Sequence, residues 1–309
     1  MSTYGAEWSL VSARPDRRLR AGVLGYRGYR MALDRPRRRL ELPDGVVTLV
    51  LGFQGQLRLT DVGRPDGTTA ARAGEPAAVP FTSLVSAVRS RATIGEHSGI
   101  LHGMEVLLAP WAAYNLLGVE MHEWADRILD PAELVGRRVD DLAGALAALP
   151  SWRRRFELLD ATLAQWSAAG PPCSARVVWA WGELSRTGGA VPIRHLAEQS
   201  GWSWRQFESR FRQQIGMPPK TIARIMRLHR ALRLLGSGQA VSQAALACGF
   251  SDQSHLAREV RRMTGRTATQ LLAAPAGTAA GPPADDRVEG RMTSVLLPDR
   301  TPPSGGGRK

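Results

Sequence analysis

The chain has 309 residues, enough for two ordinary domains, and carries 41 Lys and Arg against 28 Asp and Glu, a net charge of +13. No stretch approaches 18 consecutive apolar residues and no apolar leader core opens the sequence, so a membrane span and a signal peptide are not expected. Its two cysteines, Cys173 and Cys248, exclude a disulfide framework and a cysteine-rich zinc site. We therefore expect a soluble cytoplasmic protein without a metal or cofactor.

In the first half of the chain, the spacing of the apolar residues changes once, from strand-like to helical. Residues 21–31, 45–53, 55–62 and 99–110 are strand-like runs separated by Pro, Gly and Asp clusters that are typical of turns. Residues 110–118, 130–149 and 151–166 carry apolar residues at helical spacing instead. This pattern predicts a mixed β/α domain over residues 1–169, which ends before the Gly- and Pro-containing segment 170–174.

The basic charge is concentrated farther along. Residues 175–275 contain 15 Lys and Arg against 5 Asp and Glu, a net charge of +10, which leaves +3 for the rest of the chain. A positive field confined to one module favours a nucleic-acid partner, although an ordinary solvated basic surface would give the same count. We predict an all-α domain over residues 174–274, and a disordered tail over the Pro- and Gly-rich residues 275–309.

Two segments of the basic module repeat one pattern with a shift of 49 residues. Each has a short apolar helix, a glycine turn (Gly201 or Gly249) and a second helix that opens on an N-cap residue, Ser203 or Asp252. Phe207 and Phe211 of the first copy match Leu256 and Val260 of the second, and Gly216 matches Gly265 at the helix end. Two such units in tandem predict a pair of helix-turn-helix motifs.

Helical geometry separates the core face of each second helix from its outward face. A helix in the major groove presents its N-terminal turns to base edges, while other basic residues hold phosphate and position the protein. The residues predicted to face bases are Arg205, Glu208, Ser209, Gln253, Ser254, His255 and Arg258. The residues predicted to contact phosphate are Arg212, Lys220, Arg261 and Arg262. The alternative is that all of these are ordinary solvated side chains.

The segment between the two motifs, "GMPPKTIARIMRLHRALRLL", has one apolar stripe and predicts a linker helix. Together with "ALACGFSDQSHLAREVRRMTG", it makes residues from about Val177 to Leu272 resemble the DNA-binding domain of the AraC/XylS family of bacterial transcription regulators. The resemblance implies seven helices, two recognition helices in successive major-groove segments of double-stranded DNA, and control of transcription. The overall fold class is then α+β, a mixed β/α domain followed by an all-α DNA-binding domain.

The same resemblance suggests a role for the N-terminal domain. In long family members this position holds a sensor or dimerisation domain, so the expected partners include a small-molecule effector, a second copy of the chain, and RNA polymerase if the protein activates transcription. On this basis we expect a nucleoid-associated protein.

Two other functions are weighed against regulation. A DNA-repair enzyme of the alkyl-transfer type would carry the same module but needs an activated cysteine, and neither Cys173 nor Cys248 lies in an activating sequence context. A helical protein that binds another protein would show no salt-dependent retention on DNA. No GxSxG, P-loop or HExxH pattern points to another enzyme.

Overall fold

The structure, a computed structural model, describes residues 8–61, 78–273, 285–288 and 291–298. It confirms the α+β class, because a β-rich part precedes an all-helical part. The strand-like runs of the sequence coincide with strands, and the three segments with helical spacing form helices.

The strands form one sheet in which neighbouring strands are antiparallel. Its central path runs in the order β8-β6-β3-β7-β2-β10-β9, with β1 on β2, and β4 on both β5 and β7. The strands are β1 Trp8–Ala13, β2 Val23–Glu41, β3 Val47–Gln54, β4 Leu57–Asp61, β5 Val79–Phe81, β6 Leu84–Ser86, β7 Thr93–Leu108, β8 Ile128–Leu129, β9 Asp285–Val288 and β10 Arg291–Leu296.

Helices follow the sheet from Pro110 onward. The first four are α1 Pro110–Leu117, α2 Pro131–Val135, α3 Arg138–Ala148 and α4 Trp152–Ala169, with a 3₁₀ turn at Met121–Glu123. The seven helices implied by the family resemblance are present as α5 Ala175–Thr187, α6 Ile193–Gln199, α7 Trp204–Ile215, α8 Pro219–Gly236, α9 Val241–Ala247, α10 Gln253–Thr264 and α11 Ala268–Leu272.

The sheet has two different faces, because successive side chains of a strand point to opposite sides. On β3, Leu49 and Leu51 join the main core, which includes residues of the helices. Thr48 and Val50 of the same strand line a cavity of about 230 Å³ on the other side. The sheet therefore has one face on the main core and a second face on a cavity.

The helical part is continuous with the rest of the core. Buried residues of the sheet and of α5 to α11 belong to one cluster, and α4 ends at Ala169, six residues before α5 begins at Ala175. The division into domains at residues 169 and 174 stays a prediction. Among the described residues, no helix is long and apolar enough to cross a membrane.

The predicted disordered tail is wrong for the part of it that the structure describes. Residues 285–288 and 291–296 form two strands, β9 and β10, that pair with each other in antiparallel fashion, and β10 also pairs with β2 of the N-terminal sheet. Met292, Val295 and Leu297 are buried there. Composition predicted disorder because Pro and Gly flank a short apolar run, and the strand that pairs with this run lies about 250 residues earlier in the sequence.

Candidate nucleic-acid interface

The first helix-turn-helix motif consists of α6 and α7. Gly201 turns the chain with a φ of 67°, a left-handed conformation that favours glycine. Ser203 begins α7 with a reciprocal cap: its hydroxyl accepts from the Gln206 backbone N–H, and the Gln206 side chain accepts from the Ser203 N–H. Phe207 and Phe211 are fully buried, so the opposite side of α7 faces outward.

The second motif, α9 and α10, reproduces this geometry. Gly249 has a φ of 72°, and Phe250 is buried beneath the turn. The Asp252 carboxylate accepts from the His255 backbone N–H at 2.7 Å, and this hydrogen bond is the main reason that its pKa lies below the usual value. Leu256 and Val260 are buried at the positions that match the two phenylalanines of α7.

The outward faces carry the residues that the sequence assigned to DNA. Base-facing candidates that are exposed are Arg205, Ser209, Gln253, Ser254 and Arg258, and Glu208 is half-buried. Phosphate-contacting candidates that are exposed are Arg212, Lys220, Arg261 and Arg262. The structure therefore leaves each of these side chains accessible on α7, α8 or α10, and their DNA contacts stay predictions.

His255 differs from the other base-facing candidates. Its ring packs edge-on against Phe250, with 5.3 Å between the ring centroids, and its Nδ1 lies 3.1 Å from the Ser251 hydroxyl. The side chain is half-buried and supports the turn that precedes α10. A base contact from His255 stays a prediction, and the structure shows it as a packing residue.

Two of the phosphate candidates lie near the N-terminal part of the chain. Arg212 and Arg262 line a cleft of about 300 Å³ together with Ser90, His122 and Asp126. Arg262 also donates to Glu259 at 2.9 Å. The C-terminal ends of α7 and α10 therefore lie next to the N-terminal part of the molecule.

Arginines of the linker helix α8 hold the second motif in place. Both Nε and a terminal nitrogen of Arg224 donate to one oxygen of Glu259 on α10, at 3.0 and 2.9 Å. The guanidinium of Arg227 stacks over Phe250, with its carbon 5.4 Å from the ring centre. Helical periodicity places these arginines off the apolar stripe of α8, but it does not give their partners, because Glu259 lies in α10 and Phe250 in the turn between α9 and α10.

Trp204 is a surface residue that the sequence reasoning missed. It is the first residue of α7, directly after the Ser203 cap, and 51% of it is exposed. A large apolar side chain at that position is available for a base edge or a thymine methyl group. The signal was present in the repeat, since the 49-residue shift matches Trp204 with Gln253, which was assigned to DNA.

Neither cysteine has the environment of a reactive thiol. Burial raises the pKa of the Cys173 thiol to about 11, and its Sγ lies 2.8 Å from the Trp111 carbonyl oxygen. Cys248 is fully buried, which also raises its pKa. An alkyl-transfer nucleophile needs the opposite shift. Among the described residues, no group of three His, Cys, Asp or Glu is placed to hold a metal ion.

Comparison with known proteins agrees with this geometry. A protein-family model described as a helix-turn-helix domain matches residues 196–274, which include both motifs and the linker helix. This part of the chain is an AraC-type helix-turn-helix domain. The AraC-type domain is also similar to an uncharacterized HTH-type transcriptional regulator, YbfI of Bacillus subtilis (strain 168), with 36% identity over 66 residues. That match covers 21% of this chain and 24% of the relative, so the chain spans about a quarter of the relative's length.

Solved structures resemble the chain at low sequence identity. ToxT from Vibrio cholerae has 8% identity and a TM-score of 0.43, and the match covers 87% of this chain and 98% of ToxT. The C-terminal domain of AraT, a response regulator from Geobacillus stearothermophilus, has 16% identity and a TM-score of 0.32. That match covers 36% of this chain, and 95% of the AraT domain.

Proposed function

We propose that the protein is a sequence-specific DNA-binding transcription regulator that reads two successive major-groove segments with α7 and α10. The observation that carries this proposal is the pair of capped helix-turn-helix units whose outward faces are exposed and basic. Helix α8 has 18 residues and is about 27 Å long, a length that suits two recognition helices one DNA turn apart.

The test is selection of DNA sites from randomised duplexes by the full chain, followed by affinity measurements at several salt concentrations. We expect one enriched site with two separate half-motifs. Because log K falls by ~0.9 per phosphate contact per log unit of salt, four phosphate contacts give a slope of about −3.6. Enrichment of no sequence would contradict the proposal, as would retention that does not depend on salt. A chain that is not retained on DNA even at low salt would favour a protein-binding role for these helices.

We further propose that a small-molecule effector binds in the cavity of the N-terminal sheet. Thr93 and His97 line this cavity, are 1% and 6% exposed, and their Oγ1 and Nε2 atoms have no hydrogen-bond partner among the described residues. Burial, assisted by Arg37 and Arg39, lowers the pKa of His97 to about 4, so its ring is neutral at pH 7. A ligand that suits this lining has an apolar body and a hydrogen-bonding head.

Thr93→Val tests the effector proposal without the ligand. A buried hydroxyl without a partner costs about 1–3 kcal/mol, so removing it should raise the thermal unfolding temperature of the ligand-free chain. Thr48→Val, a change of the same type on the same cavity, is the matched control for hydrophobicity. A lower unfolding temperature for Thr93→Val alone would indicate a structural hydroxyl and would count against the effector.

Three finer features of the proposal rest on the family resemblance. These are contact with RNA polymerase if the protein activates transcription, a homodimer, and location on the nucleoid. Sedimentation of the chain with and without its selected site tests the dimer, and a reporter gene under that site separates activation from repression.

A further inference from the structure

Residues 291–297, which follow the helix-turn-helix domain in sequence, lie against the N-terminal sheet. Val295 pairs with Leu40, and Ser294 with Glu41. Two backbone hydrogen bonds flank the pairing: the Leu42 N–H donates to the Thr293 carbonyl at 2.8 Å, and the Leu297 N–H donates to the Arg38 carbonyl at 2.9 Å. We call residues 291–297 the C-terminal strap.

The strap presents a different surface on each side. Val295 lies opposite Leu40, is 2% exposed, and belongs with Leu40 to the main core, on the side where β10 packs against the linker helix α8. Ser294 points the other way, is 1% exposed and lines the cavity, where its hydroxyl accepts from the Arg39 Nε at 2.9 Å. One short strand thus separates the cavity from the helix that joins the two recognition helices.

The neighbouring loop between β2 and β3 also contacts α8 on one side and the cavity on the other. The buried His229 of α8 has its Nε2 2.6 Å from the Pro43 carbonyl oxygen, and a Cβ on Gly45 would lie 3.8 Å from the Met226 methyl group. Asp44 of the same loop lines the cavity. The part of α8 that faces the sheet therefore rests on two segments, the strap and residues 42–46, that also form cavity wall.

We propose that the C-terminal strap couples the cavity to the linker helix α8, so that a change at its cavity face alters the stability of α8 and hence the presentation of the recognition helices. Only the last step, from α8 to DNA, rests on the proposed function. Coupling of this kind is reciprocal: a change at α8 affects the cavity face by the same coupling free energy as a change at the cavity face affects α8.

Hydrogen exchange of the full chain, followed by mass spectrometry of peptides from α8, tests the coupling without DNA or ligand. Val295→Ala removes part of the helix-side contact, and we expect exchange in residues 219–236 to become at least five-fold faster. Leu296→Ala is the matched control, because this neighbour is only half-buried, and we expect a change below two-fold. Ser294→Ala alters the cavity face alone and should accelerate α8 at least three-fold.

Three outcomes overturn the proposal. Val295→Ala could accelerate exchange at Leu42 and leave α8 unchanged, which would show that the strap does not hold the helix. It could accelerate α3 as much as α8, which would indicate a uniform loss of stability. Ser294→Ala could leave α8 unchanged, which would separate the helix from the cavity. A failure to bind DNA would affect none of these readings and would count only against the proposed function.

Discussion

Arg258 is the residue on which sequence-specific reading by α10 is expected to depend most. It lies within the first two turns of α10, is exposed, and makes no side-chain hydrogen bond or salt bridge among the described residues; its charge acts only at longer range, where it helps to lower the pKa of Asp252. Because no folded contact is lost, we expect Arg258→Ala to change the free energy of unfolding by less than about 0.5 kcal/mol. Any large loss of DNA affinity can then be assigned to the interface.

The expected loss follows from the contact that an arginine makes with guanine. A bidentate contact discriminates by about 1–3 kcal/mol, which is roughly a 5- to 150-fold increase in Kd. Selection on randomised duplexes with wild type and Arg258→Ala should give motifs that differ at one base pair in one half-site. Since the 49-residue shift matches Arg258 with Ser209, the two half-sites should also differ in sequence.

Arg261→Ala on the same helix is the control for a phosphate contact. It should weaken binding to all sequences about equally and lower the salt slope by about one. Identical preferred motifs for wild type and Arg258→Ala would refute the assignment of Arg258 to a base edge, whatever the change in affinity.

Three further predictions concern single residues. Gly189→Ala should destabilise the chain by more than about 2 kcal/mol in urea unfolding, because the φ of Gly189 is 76° and a Cβ there would clash with the Ala223 carbonyl oxygen. The control is Gly182→Ala within α5, which has no atom near its Cβ and should stabilise the chain by about 0.5–1 kcal/mol. Cys173 should react slowly with a thiol reagent at pH 8 in the folded chain, since a pKa of about 11 leaves roughly one thiol in a thousand ionised. A reaction rate equal to that of the unfolded chain would instead support the alkyl-transfer alternative. Trp204→Ala should lower DNA affinity without lowering the unfolding temperature, and unchanged affinity would remove Trp204 from the interface.

The helix-turn-helix domain could be predicted because its signals are local. A glycine with positive φ, a capping residue two or three positions later and apolar residues four apart all lie within about 20 residues, and the repeat at 49 residues supplies the same evidence twice. The orientation of Arg258 follows from helical periodicity alone. The pairing of Arg224 with Glu259 does not, because it depends on how two separate helices cross.

The parts that escaped prediction depend on pairing between distant segments. The sequence suggested a strand from residue 21 to 31, but β2 continues to Glu41 through Pro36, with a register shift between Leu33 and Arg37. Proline has no N–H to donate to the ladder, and it is tolerated here because the ladder is interrupted at this irregularity. The cavity lies between strands whose curvature and register the sequence does not encode locally, so its lining residues could not be assembled in advance.

Deleting the C-terminal strap tests whether the end of the chain is structural, contrary to the expectation from its composition. Removal of residues 285–309 takes away three buried apolar side chains, Met292, Val295 and Leu297, and exposes the edge of β2 at Leu40. The entropy of ordering the strand offsets part of this loss, so we expect a destabilisation of about 2–5 kcal/mol, comparable to one large-to-small core substitution. Removal of residues 299–309 alone keeps the strap and serves as the control in the same urea titration. Equal unfolding midpoints for the two shortened chains would show that β10 adds nothing to the fold, and would also remove the physical basis for coupling through the strap.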